Sequence, residues 1–173
     1  MSGTITYGWG QSSLGTFLAA ASATGLVAVD FADERGIARA RLAEGFAGMT
    51  LIEDQTAMAA VLERLAAVID RPGGASDLAL DPRGSAAERR VWDALCRIPA
   101  GSTTTYGAIA ATLGAPFDAR EVAAACAANR IAVLIPCHRV VKKDGGLSGY
   151  RWGYRRKRAL IDREAQAVPF ALA

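Results

Sequence analysis

The chain has 173 residues, of which 51% are hydrophobic and 21% are charged, as in ordinary globular proteins of one domain or two small ones. No uncharged apolar run reaches the ~18 residues of a membrane-spanning helix, and the first residues lack the pattern of a secretory signal, so neither is expected. Three cysteines and one histidine argue against a disulfide framework and a structural zinc site, and they fit a reducing, cytoplasmic environment.

The charge is unevenly distributed along the chain. Residues 1–82 contain 5 basic and 10 acidic residues, whereas residues 83–173 contain 15 basic and 7 acidic residues. A basic half joined to an acidic half suggests that the basic half meets a polyanion. A solvated charged surface explains the same balance, so charge alone leaves both interpretations open.

The first 80 residues predict strands followed by helices. Short runs of β-branched and aromatic residues separated by turn residues predict three strands, at Ile5–Trp9, Gly15–Ala20 and Leu26–Phe31. Apolar residues at helical spacing predict an amphipathic helix over Asp54–Ile69, and a helix ended by glycine is predicted over Asp33–Gly45. The turn-rich segment that follows is interpreted as a linker, with a domain boundary near residue 80.

The second half of the sequence predicts a helical domain at residues 81–173. It follows an α/β supporting domain at residues 1–80, and the whole is expected to be an α+β fold with a small antiparallel sheet. Helical patterns with caps, or with terminating proline and glycine, predict four helices, at Ser85–Arg97, Tyr106–Leu113, Asp118–Ala128 and Gly153–Glu164. The second and third of these form a predicted helix-turn-helix, whose second helix would enter a DNA groove. Residues 136–150 are irregular, with a wing turn expected at Lys142–Gly146.

The run Ile135-Pro136-Cys137-His138-Arg139 places a cysteine between an apolar segment and two basic side chains. A thiol becomes nucleophilic when nearby positive charge or a proton acceptor favours its thiolate. Glu164, on the inward face of the last helix, is the best candidate to orient His138. A cysteine in an apolar context is also often a packed small hydrophobe, as we expect for Cys96 and Cys126 inside their helices.

The segment Ile135–Val141 resembles the signature of the O6-alkylguanine-DNA alkyltransferases. Other blocks that look like family blocks follow the family order, and Leu147–Gly153 is most similar to the alkyltransferase half of bacterial Ada. The first 80 residues match only loosely. The remaining blocks of the second half are Val91–Leu95, Ile98-Pro99, Thr105-Tyr106, Ala119-Arg120 and Ala127–Asn129.

The resemblance implies that Cys137 accepts the alkyl group and that a Cys137–water–His138–Glu164 relay generates the thiolate. It also implies that Tyr106 donates a hydrogen bond to the departing guanine and that Asn129 braces the turn before the active-site segment.

The resemblance further implies contacts with double-stranded DNA through the minor groove, with the damaged base flipped out of the stack. Arg120 would fill the vacated position at the start of the recognition helix. The other DNA-binding residues are expected to be Thr105, Ala119, Ala123, Arg130 and Arg139. The guanine is expected to be read by Val140, Ser148, Gly149 and Tyr150.

The implied reaction is stoichiometric transfer of the alkyl group to a cysteine, without a cofactor or metal, by a monomer. The sequence leaves open which alkyl groups are accepted and whether O4-alkylthymine is a substrate. Two alternatives are a lesion-binding protein without transfer, which would lack a reactive Cys137, and a winged-helix regulator, which would bind specific undamaged DNA. Nothing in the second alternative explains the Cys137-His138 pair.

The recognition helix departs from the family pattern, because it opens with Asp118-Ala119-Arg120-Glu121. Asp118 and Glu121 have the spacing of a capping box, which stabilises a helix start but also places negative charge near phosphates. Replacing Glu121 with Ala is therefore expected to tighten duplex binding at low salt. The Kd of both proteins for one duplex tests this prediction, and equal affinities would contradict it.

Overall fold

The computed structural model describes residues 3–147 and 149–167. The chain divides into two compact units. Unit 1 consists of residues up to Asp70 together with Ser76–Arg83 and Arg130–Ala132, and unit 2 contains the remaining residues. None of the helices in the described ranges is long and apolar enough to cross a membrane.

Unit 1 is built on a four-stranded sheet whose order is β3-β2-β1-β4. The antiparallel strands are β1 (Thr4–Ser12), β2 (Gly15–Ala21) and β3 (Leu26–Phe31), which confirms the three predicted strands. The expectation of a purely antiparallel sheet is wrong, because β4 (Thr50–Glu53) pairs with β1 in parallel. Helix α1 (Arg35–Gly45) separates β3 from β4 and lets the chain return in the direction of β1.

Both faces of β1 are covered by apolar side chains. Ile5, Tyr7 and Trp9 point to one side, where they belong to a core cluster that includes Leu42 of α1. On the other side lies α2 (Gln55–Asp70), an amphipathic helix that confirms the prediction made from its spacing. Its buried residues are Met58, Leu62, Leu65 and Ile69.

A short segment from much later in the chain completes unit 1. Ile131 pairs with Val29 of β3 in parallel, with backbone hydrogen bonds from Val29 to Arg130 and from Ala132 to Val29. The guanidinium of Arg130 lies over the Phe46 ring, 5.9 Å from its centroid.

Unit 2 contains the four helices predicted for the second half of the chain. They are α3 (Ala86–Cys96), α4 (Tyr106–Leu113), α5 (Ala119–Ala128) and α6 (Tyr154–Ala167). Trp92 of α3 is buried, and its indole N–H donates to the carbonyl oxygen of Ala125 at 2.8 Å, which joins α3 to α5.

Local hydrogen bonds set the boundaries of α4 and α5. Thr105 caps α4, since its hydroxyl accepts a hydrogen bond from the backbone N–H of Ala108 at 3.2 Å, and Gly114 ends the helix with φ +75°. Asp118 and Glu121 form the predicted capping box at the start of α5. The two helices are thus consecutive and separated by a short turn.

A two-stranded parallel ladder that the sequence did not predict connects distant parts of unit 2. Strand β5 (Thr104–Thr105) pairs with β6 (Val140–Val141), so the start of α4 lies beside the segment that follows Cys137. The turn predicted at Lys142–Gly146, as part of a hairpin or wing, is confirmed by the hydrogen bond from the backbone N–H of Lys142 to the carbonyl oxygen of Gly146 at 2.9 Å.

Gly10 of β1 is expected to tolerate no side chain, because a Cβ there would lie 2.3 Å from the ring of its cross-strand partner Phe17. We predict that Gly10→Ala lowers the free energy of unfolding by about 1–3 kcal/mol. Gly36→Ala is the matched control, because that position in α1 has nothing within 4 Å and alanine favours helix. Urea denaturation of both variants measures the difference, and equal stabilities would show that the ring moves aside without cost.

Candidate active site around Cys137

The segment that carries Cys137 is buried and tightly turned. Cys137 is 5% exposed and His138 is fully buried, and both lie in a 3-10 turn over Cys137–Arg139. A 3-10 turn has three residues per turn, so consecutive side chains point in different directions. The side chains of Cys137 and His138 therefore lie in different surroundings, although the two residues are neighbours in sequence.

A carboxylate holds His138 and Arg139 together. Oε1 of Glu164, on α6, lies 2.8 Å from Nε2 of His138 and accepts a second hydrogen bond from Arg139 at 2.9 Å. The Nε–H of Arg139 donates to the other carboxylate oxygen at 2.9 Å, and its remaining nitrogen donates to the carbonyl oxygen of Ile98 at 2.7 Å. The contact between Glu164 and His138 that the sequence analysis expected is present, and the orienting role of Glu164 stays a prediction.

Glu164 is ionised despite being 2% exposed. Burial alone would raise the pKa of Glu164, but the hydrogen bonds from His138 and Arg139 outweigh it and lower the pKa to about 2. An ionised carboxylate can only accept hydrogen bonds, so Nε2 of His138 must carry a proton.

His138 is a neutral base with one nitrogen available. Burial lowers the pKa of His138, and its hydrogen bond to Glu164 only partly restores it, so the imidazole is uncharged at neutral pH. Because Nε2 carries the proton, Nδ1 presents a lone pair. Nδ1 is buried and has no hydrogen-bond partner in the described part of the chain. The ring can therefore accept a proton at Nδ1 while Glu164 stabilises the resulting charge.

The thiol of Cys137 lies against a buried amide. Nδ2 of Asn129, the residue that ends α5, donates to the carbonyl oxygen of Ile135 at 3.0 Å and lies 3.3 Å from the Cys137 sulfur. Burial raises the pKa of the Cys137 thiol, while the hydrogen bond from Asn129 and the positive charge of Lys157 lower it in part. The resting group is a thiol, so the nucleophile forms only when a base takes its proton.

Two tyrosines and a lysine belong to the same region of unit 2. Burial raises the pKa of Tyr106, the first residue of α4, to about 12, and nearby Cys126 and Cys137 add to the effect. The hydroxyl of Tyr150 is buried without a partner among the described residues. Lys157 of α6 is 1% exposed, and its ammonium lies 6.0 Å from the Tyr150 ring centroid.

Lys157 is the site residue that the sequence analysis missed. It lies in the basic run Arg155–Arg158, which the sequence analysis did not connect with the site. Residues seven apart share one face of a helix, and Lys157 precedes Glu164 by seven residues. That spacing could have revealed it.

The remaining predicted residues lie in three kinds of surroundings. Ala119 and Arg120 are exposed at the start of α5 and Ala123 is half-buried, whereas Val140 is fully buried in β6. Gly149 is exposed with φ +77°, a conformation that favours glycine. Ser148 lies outside the described residues.

Two expectations about cysteines have different outcomes. Cys126 is buried on α5, as expected for a packing residue. Cys96 is exposed, so its assignment to a packed helix face is wrong. Cys96 is the last residue of α3, next to the turn at Ile98-Pro99, and the buried face of that helix ends at Leu95.

The chain is similar to known proteins in both sequence and fold. Residues 86–166 match the family model of the 6-O-methylguanine DNA methyltransferase DNA-binding domain. The methylated-DNA–protein-cysteine methyltransferase of Mycolicibacterium paratuberculosis is 43% identical over 120 residues, covering 69% of this chain and 73% of that protein. This chain belongs to the methylated-DNA–protein-cysteine methyltransferase family. The crystal structure of the Mycobacterium tuberculosis O6-methylguanine methyltransferase matches with a TM-score of 0.78, 33% identity and 97% coverage of each chain.

Family members differ in length. The Ada protein of Escherichia coli, a bifunctional transcriptional activator and DNA repair enzyme, is 38% identical over 94% of this chain, which spans 46% of that protein. The chain thus spans about half the length of this curated relative. The Mycobacterium tuberculosis protein has also been solved in complex with DNA, and that structure matches with a TM-score of 0.76, 32% identity, and coverage of 95% of this chain and 96% of that one.

Replacing Glu164 with Gln is expected to lower the free energy of unfolding at pH 7 by about 3 kcal/mol, because Arg139 keeps a partly buried charge without its counter-ion. The folded pKa of Glu164, about 2, lies below the ordinary 4.5, so its contribution is complete above pH 4.5 and is lost as the pH falls towards 2. The difference between the two proteins should shrink over that range. Denaturant unfolding at a series of pH values measures it.

Asp162→Asn is the matched control for the Glu164 variant, because Asp162 is an exposed carboxylate on the same helix. It should change the stability at pH 7 by less than about 0.5 kcal/mol. A Glu164→Gln deficit that stays constant down to pH 2 would contradict the assigned ionisation of Glu164.

Proposed function

We propose that this protein repairs O6-alkylguanine in DNA by moving the alkyl group onto Cys137, once per molecule. One observation about the site carries the proposal. The Cys137 thiol is buried beside Asn129, and the adjacent neutral His138 has an Nδ1 without a hydrogen-bond partner in the described ranges. Such a histidine can take the thiol proton, because its Nε2 is held by Glu164.

The proton and electron transfers balance as follows. The Cys137 S–H gives its proton to Nδ1 of His138 through a water molecule, since the two side chains diverge, and Glu164 stabilises the imidazolium. The thiolate attacks the alkyl carbon, a C–S bond forms, the C–O6 bond breaks, and its electron pair goes to the guanine. The Tyr106 hydroxyl, whose pKa is raised to about 12, donates a hydrogen bond to the leaving guanine. The guanine then takes a proton from water at N1, and the imidazolium of His138 returns its proton to water.

The product is a thioether, which explains why we propose a single turnover. Removing the alkyl group from a thioether would expel the Cys137 thiolate, a poor leaving group from an alkyl carbon, and no group assigned here is a stronger nucleophile than that thiolate. The reaction needs no cofactor, because the ether carbon of the lesion is already electrophilic.

DNA binding is proposed for α5. The exposed Arg120 at its start would occupy the position of the flipped nucleotide, and the small residues Ala119 and Ala123 permit close approach in the minor groove. Thr105, the cap of α4, is the remaining contact proposed on the helix pair. The DNA complex of the Mycobacterium tuberculosis relative supports a DNA partner.

We propose different roles for the two arginines expected to bind DNA. Three nitrogens of Arg139 are engaged by Glu164 and by the Ile98 carbonyl, so its guanidinium positions the carboxylate. Arg130 is half-buried and lies over Phe46 in unit 1, which leaves part of its guanidinium available for phosphate contact.

Recognition of the guanine is proposed for the segment from Val140 to Tyr150. The backbone of Val140 is fixed by the β5–β6 ladder, and the buried Tyr150 hydroxyl has unused hydrogen-bonding capacity. Gly149 and Ser148 complete the proposed substrate contacts. We further propose that the protein acts as a monomer and works in the cytoplasm.

The proposal is tested by mixing the protein with excess duplex that contains one O6-methylguanine and measuring the intact mass. We expect a gain of one methyl group per chain, mapped to the Cys137 peptide. Cys137→Ala should gain no mass. Cys96→Ala should still gain one methyl group, because the Cys96 thiol is exposed and has no assigned role in the transfer.

Two outcomes would contradict the transfer reaction. Lesion binding without a mass gain would make the protein a lesion binder without transfer. Tight binding to an undamaged specific sequence, without preference for the lesion, would make it a winged-helix regulator.

A further inference from the structure

The turn-rich segment that the sequence analysis interpreted as a linker lies against the candidate site. Residues Arg71–Ala75 belong to unit 2, although the chain before and after them belongs to unit 1. Pro72 is buried, whereas Gly73 and Gly74 are exposed. The segment therefore packs on unit 2 at Pro72-Gly73, where its composition alone predicts only an exposed connection.

Gly73 lies close to two side chains of unit 2. A Cβ atom placed on Gly73 would lie 3.0 Å from the Cβ of Ala100 and 3.8 Å from the Cγ of Glu164. The first distance is tighter than an ordinary contact, and the second is an ordinary van der Waals contact. Because one C–C bond joins such a Cβ to the backbone, the Cα of Gly73 is too close to the Cγ of Glu164 for a water molecule to lie between them.

The backbone conformation also favours glycine at this position. The φ angle of Gly73 is +105°, which residues with a side chain rarely adopt. Gly74 has no such angle, and a Cβ placed on it would meet nothing within 4 Å. The close contact and the positive φ therefore both belong to the first glycine of the pair.

Both neighbours of Gly73 take part in holding Arg139. Glu164 accepts two hydrogen bonds from Arg139, at 2.9 Å each. Ile98, two residues before Ala100, accepts a third from the same guanidinium at 2.7 Å. Gly73 thus lies between the carboxylate and the turn that together fix Arg139.

Glu164 needs a cover because it lies near the end of α6. The residues that follow it in the helix, Ala165–Ala167, are exposed, yet Glu164 is only 2% exposed. Water that reached the carboxylate would compete with His138 and Arg139 for its oxygens. Exclusion of water therefore keeps the Nε2 proton of His138 on Glu164 and leaves Nδ1 as the free lone pair.

We infer that Gly73 is a positioning residue for His138, because its backbone covers Glu164 and excludes water from the carboxylate that fixes the histidine proton. The value of this arrangement for alkyl transfer rests on the proposed function. Gly73 acts only through Glu164, and it neither gives nor takes a proton. A side chain at this position has to displace the segment from Ala100 or change its backbone angle, and either change opens the cover over Glu164.

NMR of the imidazole ring tests this inference, because His138 is the only histidine in the sequence. The ¹⁵N shifts of the ring report which nitrogen carries the proton, and saturation transfer from water reports how fast the Nε2 proton exchanges. For Gly73→Ala at pH 7 we expect that exchange to be faster by about tenfold or more, since the strained segment opens more often. A fraction of the ring should also carry its proton on Nδ1.

Three further variants separate the cover from general strain. Gly74→Ala adds a methyl group beside position 73 with no close neighbour, and Gly48→Ala in unit 1 imposes a comparable backbone penalty, with φ +84° and nothing within 4 Å. Both should keep the wild-type signals of His138. The double variant Gly73→Ala/Ala100→Gly removes the methyl group at 3.0 Å, so its exchange should return towards the wild-type rate.

Unchanged exchange and an unchanged tautomer in Gly73→Ala would overturn the inference. So would the same change in Gly74→Ala or Gly48→Ala, or an exchange rate in the double variant as high as in Gly73→Ala. The NMR measurement involves no DNA. Failure of methyl transfer from a lesion would therefore refute the proposed function without affecting this result.

Discussion

The site depends on one carboxylate that accepts three hydrogen bonds. Glu164 fixes the proton of His138 on Nε2 and holds the guanidinium of Arg139, and both side chains come from the turn that carries Cys137. Because the carboxylate remains ionised, the histidine has only one orientation and one free lone pair. Without this charge, the buried imidazole would have no preferred tautomer and Arg139 would lose its partner.

The charges of the site are arranged in two groups. Glu164 and Arg139 neutralise one another beside a neutral histidine, whereas Lys157 forms no ion pair within the described part of the chain. When Nδ1 of His138 takes up a proton, the new positive charge therefore lies beside a carboxylate that is already in place.

The sequence predicted those parts of the structure that have local signals. The spacing of Met58, Leu62 and Leu65, and the caps Thr105 and Asp118, were sufficient to place the helices. Strands β4, β5 and β6 have two to four residues, too few for a periodic pattern, and their pairing joins residues far apart in sequence. Lys157 was missed because a basic run normally marks a solvated face, and only its distance from Glu164 distinguishes it from its neighbours.

The position of Glu164 also has a consequence for the order of events during synthesis. The carboxylate follows His138 by 26 residues and reaches it only after α6 has formed and packed. A nascent chain that has exposed Cys137 but not yet α6 would lack the carboxylate that prepares His138 as the base. Since chains fold as they are made, the acceptor thiol has only the reactivity of an exposed, unactivated cysteine until α6 is in place and His138 has become its base.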